Sequence, residues 1–404
     1  MIAKKEKSMT LKLEMIWSFA LTLFFAIKMN YHLSKSSVVW YGTLALVIFA
    51  YILVYNGRFR LDLSPFLVWL LFFTAFGVLS LLWSLSISAG VDVIKSLIVV
   101  FAVLFLIQLS IYYGYKIDTL LKCYFISTLI NIVYIFLTVD VRQLGEEQLG
   151  TGLLEGWNGN GIGFMAAQGV LIGIYLLNQC KNRAGKIIYF VSVVVLALMT
   201  MYTGSRTAFI VMVVGMVIYF WLSHPTKLLK NMFVTALVAC VAFYLIMNVE
   251  VFYNVLGSRF EGLFAIFGAE GTADSSATVR NKFIENGIEW FCENPFCGYG
   301  INNYKVLNVS ATGRFTYAHN NFIEIAVDLG VVGLILYYSI YVYIIVKLFK
   351  TAKKDPLTVF LVSALIASVI SHYGNVAYYE LYQNLLLLLC FCWLKTKTQK
   401  SAHT

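Results

Sequence analysis

The sequence predicts an all-α polytopic membrane protein of about twelve transmembrane helices. Three observations carry this. Of 404 residues, 60% are hydrophobic and 12% charged, whereas a soluble domain is about a quarter charged and about half apolar at most. Apolar runs near twenty residues recur from end to end, the length that crosses ~30 Å of hydrocarbon. Lys and Arg gather in alternate connections, the pattern that sets orientation in a membrane.

In order, the apolar runs are 14–31, 38–55, 65–84, 93–112, 117–138, 160–179, 187–203, 207–222, 232–248, 321–346, 358–372 and 381–394. The first run emerges from the N-terminal stretch "MIAKKEKSMTLKLEMIW". That start is basic and then apolar, like a signal peptide. Its run is span-length and no small-residue cleavage site comes after it, so it reads as a retained first helix. With this end inside, the connections "KKEK", "NGRFR", "YKID", "KNRAGK", "HPTKLLK", "KLFKTAKK" and "KTKTQK" share one side, which holds 20 of the 30 Lys and Arg. The positive-inside rule then places both termini in the cytoplasm. The net charge of +10 stems from these loops and does not call for nucleic acid. The chain reads as one integral membrane domain, 1–404, without internal repeats.

Two outer connections are long, and long ordered connections tend to carry function. One is 139–159, Gly-rich and acidic. The other is a large extracytoplasmic loop, 249–320, with short helices in it. Within it, "TADSSATVRNKFIENGIEWFCENPFCGYG" predicts a helix. Ser275, Ser276 and Thr278 offer capping oxygens. Val279, Phe283, Gly287, Ile288, Trp290 and Phe291 form an apolar stripe suited to the outer leaflet surface. Pro295 and Gly298-Tyr299-Gly300 end it. Arg280 is expected in its first turn, where the helix dipole disfavours a cation and an anionic partner would be welcome.

The basic residues outside stand apart from the rule. Singly, Arg206 in its tight hairpin reads as an interfacial anchor, Arg280 as a solvated loop residue and His319 as an interfacial histidine. Together they share one face. Two guanidiniums and an imidazole are the groups needed to hold a diphosphate and move a proton. Arg314 and Arg259 are further outer cations. Tyr299, Tyr304, Phe315, Tyr317, Tyr373, Tyr378 and Tyr379 could stack on sugar faces or form an aromatic belt. Of seven Cys, Cys292 and Cys297 lie outside, where a turn between them permits pairing without requiring it.

Three segments then carry a resemblance. They are "GSRTAF", "ATVRNKFIENGIEWFCENPFCGYGINNY" and "AHNNFIEIAVDLGVVGLIL". The chain resembles the O-antigen ligase/polymerase superfamily in its Arg after a tight hairpin. It does so again in the Arg opening a helix that runs to Asn-Pro-x-x-Gly-x-Gly, and in Ala-His-Asn entering the next span. "WNGNGIGFMAAQG" (157–169) is similar to the family's Asn-Gly segment, more loosely. The specific portion is about 200–345. The resemblance implies a fold like the membrane-embedded C-type glycosyltransferases, multi-pass in the bacterial plasma membrane. It implies a glycan on undecaprenyl diphosphate as substrate, with membrane lipid and a chain-length regulator protein as further partners.

Carried over, Arg206 and Arg280 would neutralise the diphosphate. His319 would take the proton of the attacking hydroxyl, with inversion at the anomeric carbon. Asn320 and Asn321 would orient the imidazole or the sugar, or else cap the next helix. Arg314, Arg259 and Tyr317 would touch the glycan. Glu324 and Asp328 suit the positive helix end better than catalysis. No Asp-x-Asp occurs, and the first outer loop, "YHLSKSS", holds no acid. Transfer without metal or other cofactor is therefore expected, with Asp274 and Glu285 the acids able to overturn it. Three functions remain open: a polymerase of lipid-linked repeat units for O-antigen or capsule, a ligase to lipid A core or another acceptor, and a flippase.

Overall fold

The computed structural model describes residues 2–30, 33, 36–138, 159–250, 253–258, 261, 275–351 and 355–401. The major helices are, in chain order, α1 (Ile2–Met29), α2 (Ser37–Tyr55), α3 (Pro65–Leu79), α4 (Ile87–Tyr112), α5 (Ile117–Thr138), α6 (Gly159–Gln179) and α7 (Arg183–Tyr202). They continue with α8 (Arg206–Ser223), α9 (Leu228–Asn248), α10 (Ser275–Glu293), α11 (Tyr304–Thr312), α12 (Asn321–Thr351), α13 (Pro356–Ser371) and α14 (Leu381–Ser401). The described residues contain no strand. Among them nine helices, α2 to α9 and α12, are long and apolar enough to cross a membrane, α3 together with the helical turn that continues it to Trp83. Of the twelve expected spans, nine meet these criteria among the described residues. The other three runs do lie on helices, but α13 has only 16 residues. The apolar part of α14 ends before Lys395, and α1 opens on the charged "AKKEK".

The chain divides into two compact units. One comprises Met1–Leu61 and Leu109–Glu261, the other Asp62–Gln108 and Gly262–Thr404. The first holds α1, α2 and α5 to α9. Its helices are joined by small residues and by side-chain to backbone bonds, the means available where lipid is as apolar as the helix surface. Ser127 Oγ donates to the Thr22 carbonyl at 2.7 Å and Asn131 Nδ2 to Ala26 at 2.9 Å, which ties α5 to α1. A methyl group at Gly169 would stand 2.9 Å from both Thr128 and Leu196. Apolar side chains on the free surface, such as Leu229 and Phe233 of α9, suit hydrocarbon rather than water.

The second unit holds α3, most of α4, and α10 to α14. Its central feature is a break in α12. Gly330 has φ 64° and ψ −164°, a conformation essentially confined to glycine. The chain ahead of α11 lies along this break. Val331 N donates to Pro295 O at 2.8 Å, Tyr299 N to Val327 O at 2.9 Å and Gly300 N to Asp328 O at 2.8 Å. A Cβ on Gly330 would stand 2.2 Å from Phe296 O, so only glycine admits this pairing. The Asp328 carboxylate then accepts the backbone N–H groups of Asn302, Asn303 and Tyr304 at 2.7–2.8 Å. It caps α11, whereas the sequence suggested that it serves its own helix.

Within this unit, the connections expected outside meet at one end. Ser86 N donates to Asn303 Oδ1 at 2.7 Å, and Ala377 N to Asn321 Oδ1 at 2.8 Å. Segments expected inside meet elsewhere, through Lys395–Asp62 at 2.7 Å and Lys397–Asp355 at 3.8 Å.

Candidate active site

The site is built on the loop helix that the sequence predicts. α10 begins at Ser275, so Arg280 falls in its second turn, past the unfavourable end of the dipole, rather than in the first turn expected. Asp274, which precedes it, lies outside the described residues. The stripe packs on protein. Phe283 is buried in a cluster with Tyr304, Ala318 and Val327, flanked by Val279, Trp290, Phe291 and Ile323. Tyr304 Oη donates to Phe283 O at 2.7 Å. At Gly287 a Cβ would stand 2.3 Å from Ile323, so α10 meets α12 at close range there. The stripe thus covers the start of α12 instead of lying on the leaflet, and Ile288, off this face, is half exposed. Tyr304 and Tyr378 are core residues, fully enclosed, and present no face to a sugar.

The loop from Gly313 to Asn320 is fixed at both ends. The buried Asn308 amide donates to Arg314 O at 3.0 Å and Thr316 O at 3.4 Å. Ala318 N donates to Glu324 Oε2 at 2.6 Å, and Asn320 Oδ1 accepts from Phe322 N and Ile323 N, capping α12. Between these anchors His319 adopts φ 53°, a left-handed conformation that costs a non-glycine residue ~1–2 kcal/mol. The anchors on either side hold it there. Its ring lies parallel to Phe283, at 6.3 Å and 8°, and 4.2 Å from the Tyr317 ring.

Burial first, and the Arg280 charge second, push the His319 pKa down to about 4. The imidazole is therefore neutral at physiological pH and able to accept a proton. Its Nδ1 is buried without a hydrogen-bond partner among the described residues, as is Glu324 Oε1. A cavity of about 510 Å³ opens here, lined by Val279, Arg280, Phe283, Arg314, Phe315, Thr316 and His319. Its size suits a small ligand or part of a larger one.

Arg280, Arg314 and His319 thus converge, with Tyr317 against the imidazole. Asn320 and Asn321 do not line the cavity. Asn320 is the helix cap. Asn321 holds the backbone of Ala377 and Tyr378 and donates to Tyr338 Oη. Arg259 lies outside the described residues. Arg206 belongs to the other unit. It is the buried first residue of α8, behind Ser205, whose hydroxyl donates to Asn160 Oδ1 at 2.7 Å. That bond ties the hairpin to the Asn-Gly segment at the start of α6.

Sequence reading missed Phe283 and Val279 as walls of the site. The signal was present, because residues 279, 280 and 283 share one helical face. Cys292 and Cys297 are both exposed free thiols, and Glu285 pairs with Lys282 at 3.5 Å. Among the described residues no three His, Cys, Asp or Glu side chains gather as ion ligands.

Residues 191–338 match the family model described as O-antigen ligase, a stretch that takes in Arg206, Arg280, Arg314 and His319. Over 307 residues the chain is 22% identical to the teichuronic acid biosynthesis protein TuaE of Bacillus subtilis (strain 168), covering 72% of this chain and 62% of that protein. The chain therefore spans less than two thirds of that relative's length. The described helices define a polytopic helical membrane protein, and the two matches show what it is similar to. The superfamily they support is that of the O-antigen ligases and polymerases.

Proposed function

We propose that the protein is a polymerase of undecaprenyl-diphosphate-linked oligosaccharide repeat units. It acts at the outer face of the plasma membrane as an inverting, metal-independent glycosyltransferase with both termini in the cytoplasm. One observation carries this reading: a neutral imidazole faces the same cavity as two guanidiniums. His319 takes the proton of an acceptor sugar hydroxyl. The hydroxyl oxygen forms a bond to the anomeric carbon of the donor, and the bond from that carbon to the lipid diphosphate breaks, the electron pair leaving with the diphosphate. Arg280 stabilises the charge that grows on the leaving group, the effect that usually contributes most in such reactions. Arg206 joins this role on the argument of sequence alone, from the membrane side assigned to its hairpin. Asn320 and Asn321 keep α12 and the imidazole in register.

The polymerase is preferred on the sequence alone, in which the compact 249–320 connection shows no obvious added element for docking a large lipid A core. The ligase is the second reading, favoured by the description of the matching family. The experiment that separates them offers purified protein only lipid-linked repeat units. Lengthened lipid-linked glycans support the polymerase. Transfer only when lipid A core or another acceptor is added supports the ligase, and no transfer with either defeats both.

A further inference from the structure

The donor diphosphate leaves one cation in the cavity without a role. Arg314 sits at the rim, exposed, and pairs with no carboxylate among the described residues. Among the described residues no acid lines the cavity either. Next to Arg314, Phe315 is 65% exposed, with Lys305 Nζ 5.0 Å from its ring centroid. The stretch is held in place rather than loose: Gly313 ends α11 in the left-handed region, and Asn308, fully buried, bonds the carbonyls on both sides of Phe315.

We infer that Arg314, Phe315 and Lys305 form a sugar subsite for an anionic residue of the glycan, one bearing a carboxylate or a phosphate ester. The Phe315 ring lines the cavity beside Arg314 and offers a flat apolar surface to the sugar, while Arg314 and the Lys305 ammonium over the ring meet the charge. The field at the imidazole gives a reason to assign Arg314 to sugar rather than diphosphate. The Arg280 charge contributes to the lowered His319 pKa, while Arg314 is not among its causes. On this ground Arg280 is assigned to the reacting centre and Arg314 to the sugar. This inference rests on the transferase reading for its location but has its own test.

The test is binding to the full-length protein in nanodiscs of neutral lipid. The probes are a fluorescent trisaccharide ending in a hexuronate, its carboxyl-reduced counterpart, and the same neutral sugar bearing a phosphate ester. Inorganic diphosphate is a fourth probe. The expected result is binding of at least one anionic trisaccharide about tenfold tighter than the neutral one. That advantage should shrink with salt, vanish in Arg314→Gln and survive in part in Arg314→Lys. Arg280→Gln, not Arg314→Gln, should weaken inorganic diphosphate. Which anionic probe gains identifies the charge. Equal binding of charged and neutral sugars overturns the inference. So does a charge advantage that persists in Arg314→Gln, a larger loss of diphosphate than of sugar in that variant, or no binding of any trisaccharide. None of these touches the transferase reading, which is judged by chain elongation in the lipid-linked assay.

Discussion

At the scale of the residue, the proposed chemistry turns on His319. Its pKa is lowered to about 4 by burial and by Arg280. In the free protein the base is lost only as pH falls through that value. kcat/KM should therefore stay level from about pH 8 to 5 and fall below it, whereas an ordinary histidine would give a fall near 6.5. A limb near 6.5 in kcat/KM would contradict the site described. The anionic donor offsets the Arg280 field, so the acid limb of kcat should lie above that of kcat/KM. Stability carries the same sign. The unfolded chain binds a proton near 6.5 and the folded one near 4, so stability contributed by this group is present above 6.5 and lost as pH falls between the two. Arg280 and His319 were legible in the sequence because charge among apolar residues is conspicuous. The left-handed backbone at 319 was not. It is imposed by Asn320 and Glu324 acting on the loop from α12, and propensity does not report a conformation set by tertiary anchors. Asn321 was legible only as a choice between sugar contact and capping. Its amide in fact bridges to Ala377 and Tyr378, a partnership more than fifty residues away.

At the scale of the element, the broken α12 positions the site. Asp328 accepts three backbone N–H groups, and a buried donor left without its acceptor costs ~1–3 kcal/mol, less than additively over three. Asp328→Ala should cost about 4 kcal/mol and lower the thermal midpoint in detergent by several degrees. An unchanged midpoint would mean that the turn before α11 is held by something else. Gly330→Ala should be as damaging, since the added methyl meets Phe296 O and the backbone leaves its allowed region. In the sequence, "NPFCGYG" is legible as a helix stop and "VDLGVVG" as the entry to a span. That they pair with each other is not, because backbone pairing across thirty residues leaves no local periodicity. The α10 helix itself was legible from its apolar stripe, but what the stripe covers depended on α12.

At the scale of the whole molecule, composition gave the class and left the count open. Twelve hydropathic runs became nine helices that meet the length and apolarity of a span among the described residues, since charged ends shorten α1 and α14 and α13 is brief. The proposed orientation has its own check. Cys292 and Cys297 are exposed free thiols on the connection assigned to the outer face. With the other cysteines replaced by serine, a membrane-impermeant maleimide should label intact cells. Labelling only after permeabilisation would invert the topology. The most direct test of the central claim compares the wild-type protein with His319→Asn in nanodiscs, with lipid-diphosphate repeat units as sole substrate and EDTA present. Asparagine tolerates the left-handed backbone, so the fold should survive while the base is gone. A base at His319 predicts a ladder of longer lipid-linked glycans from the wild type and a rate about 10²–10⁴-fold lower in the variant. A ladder formed at the same rate by His319→Asn would contradict it.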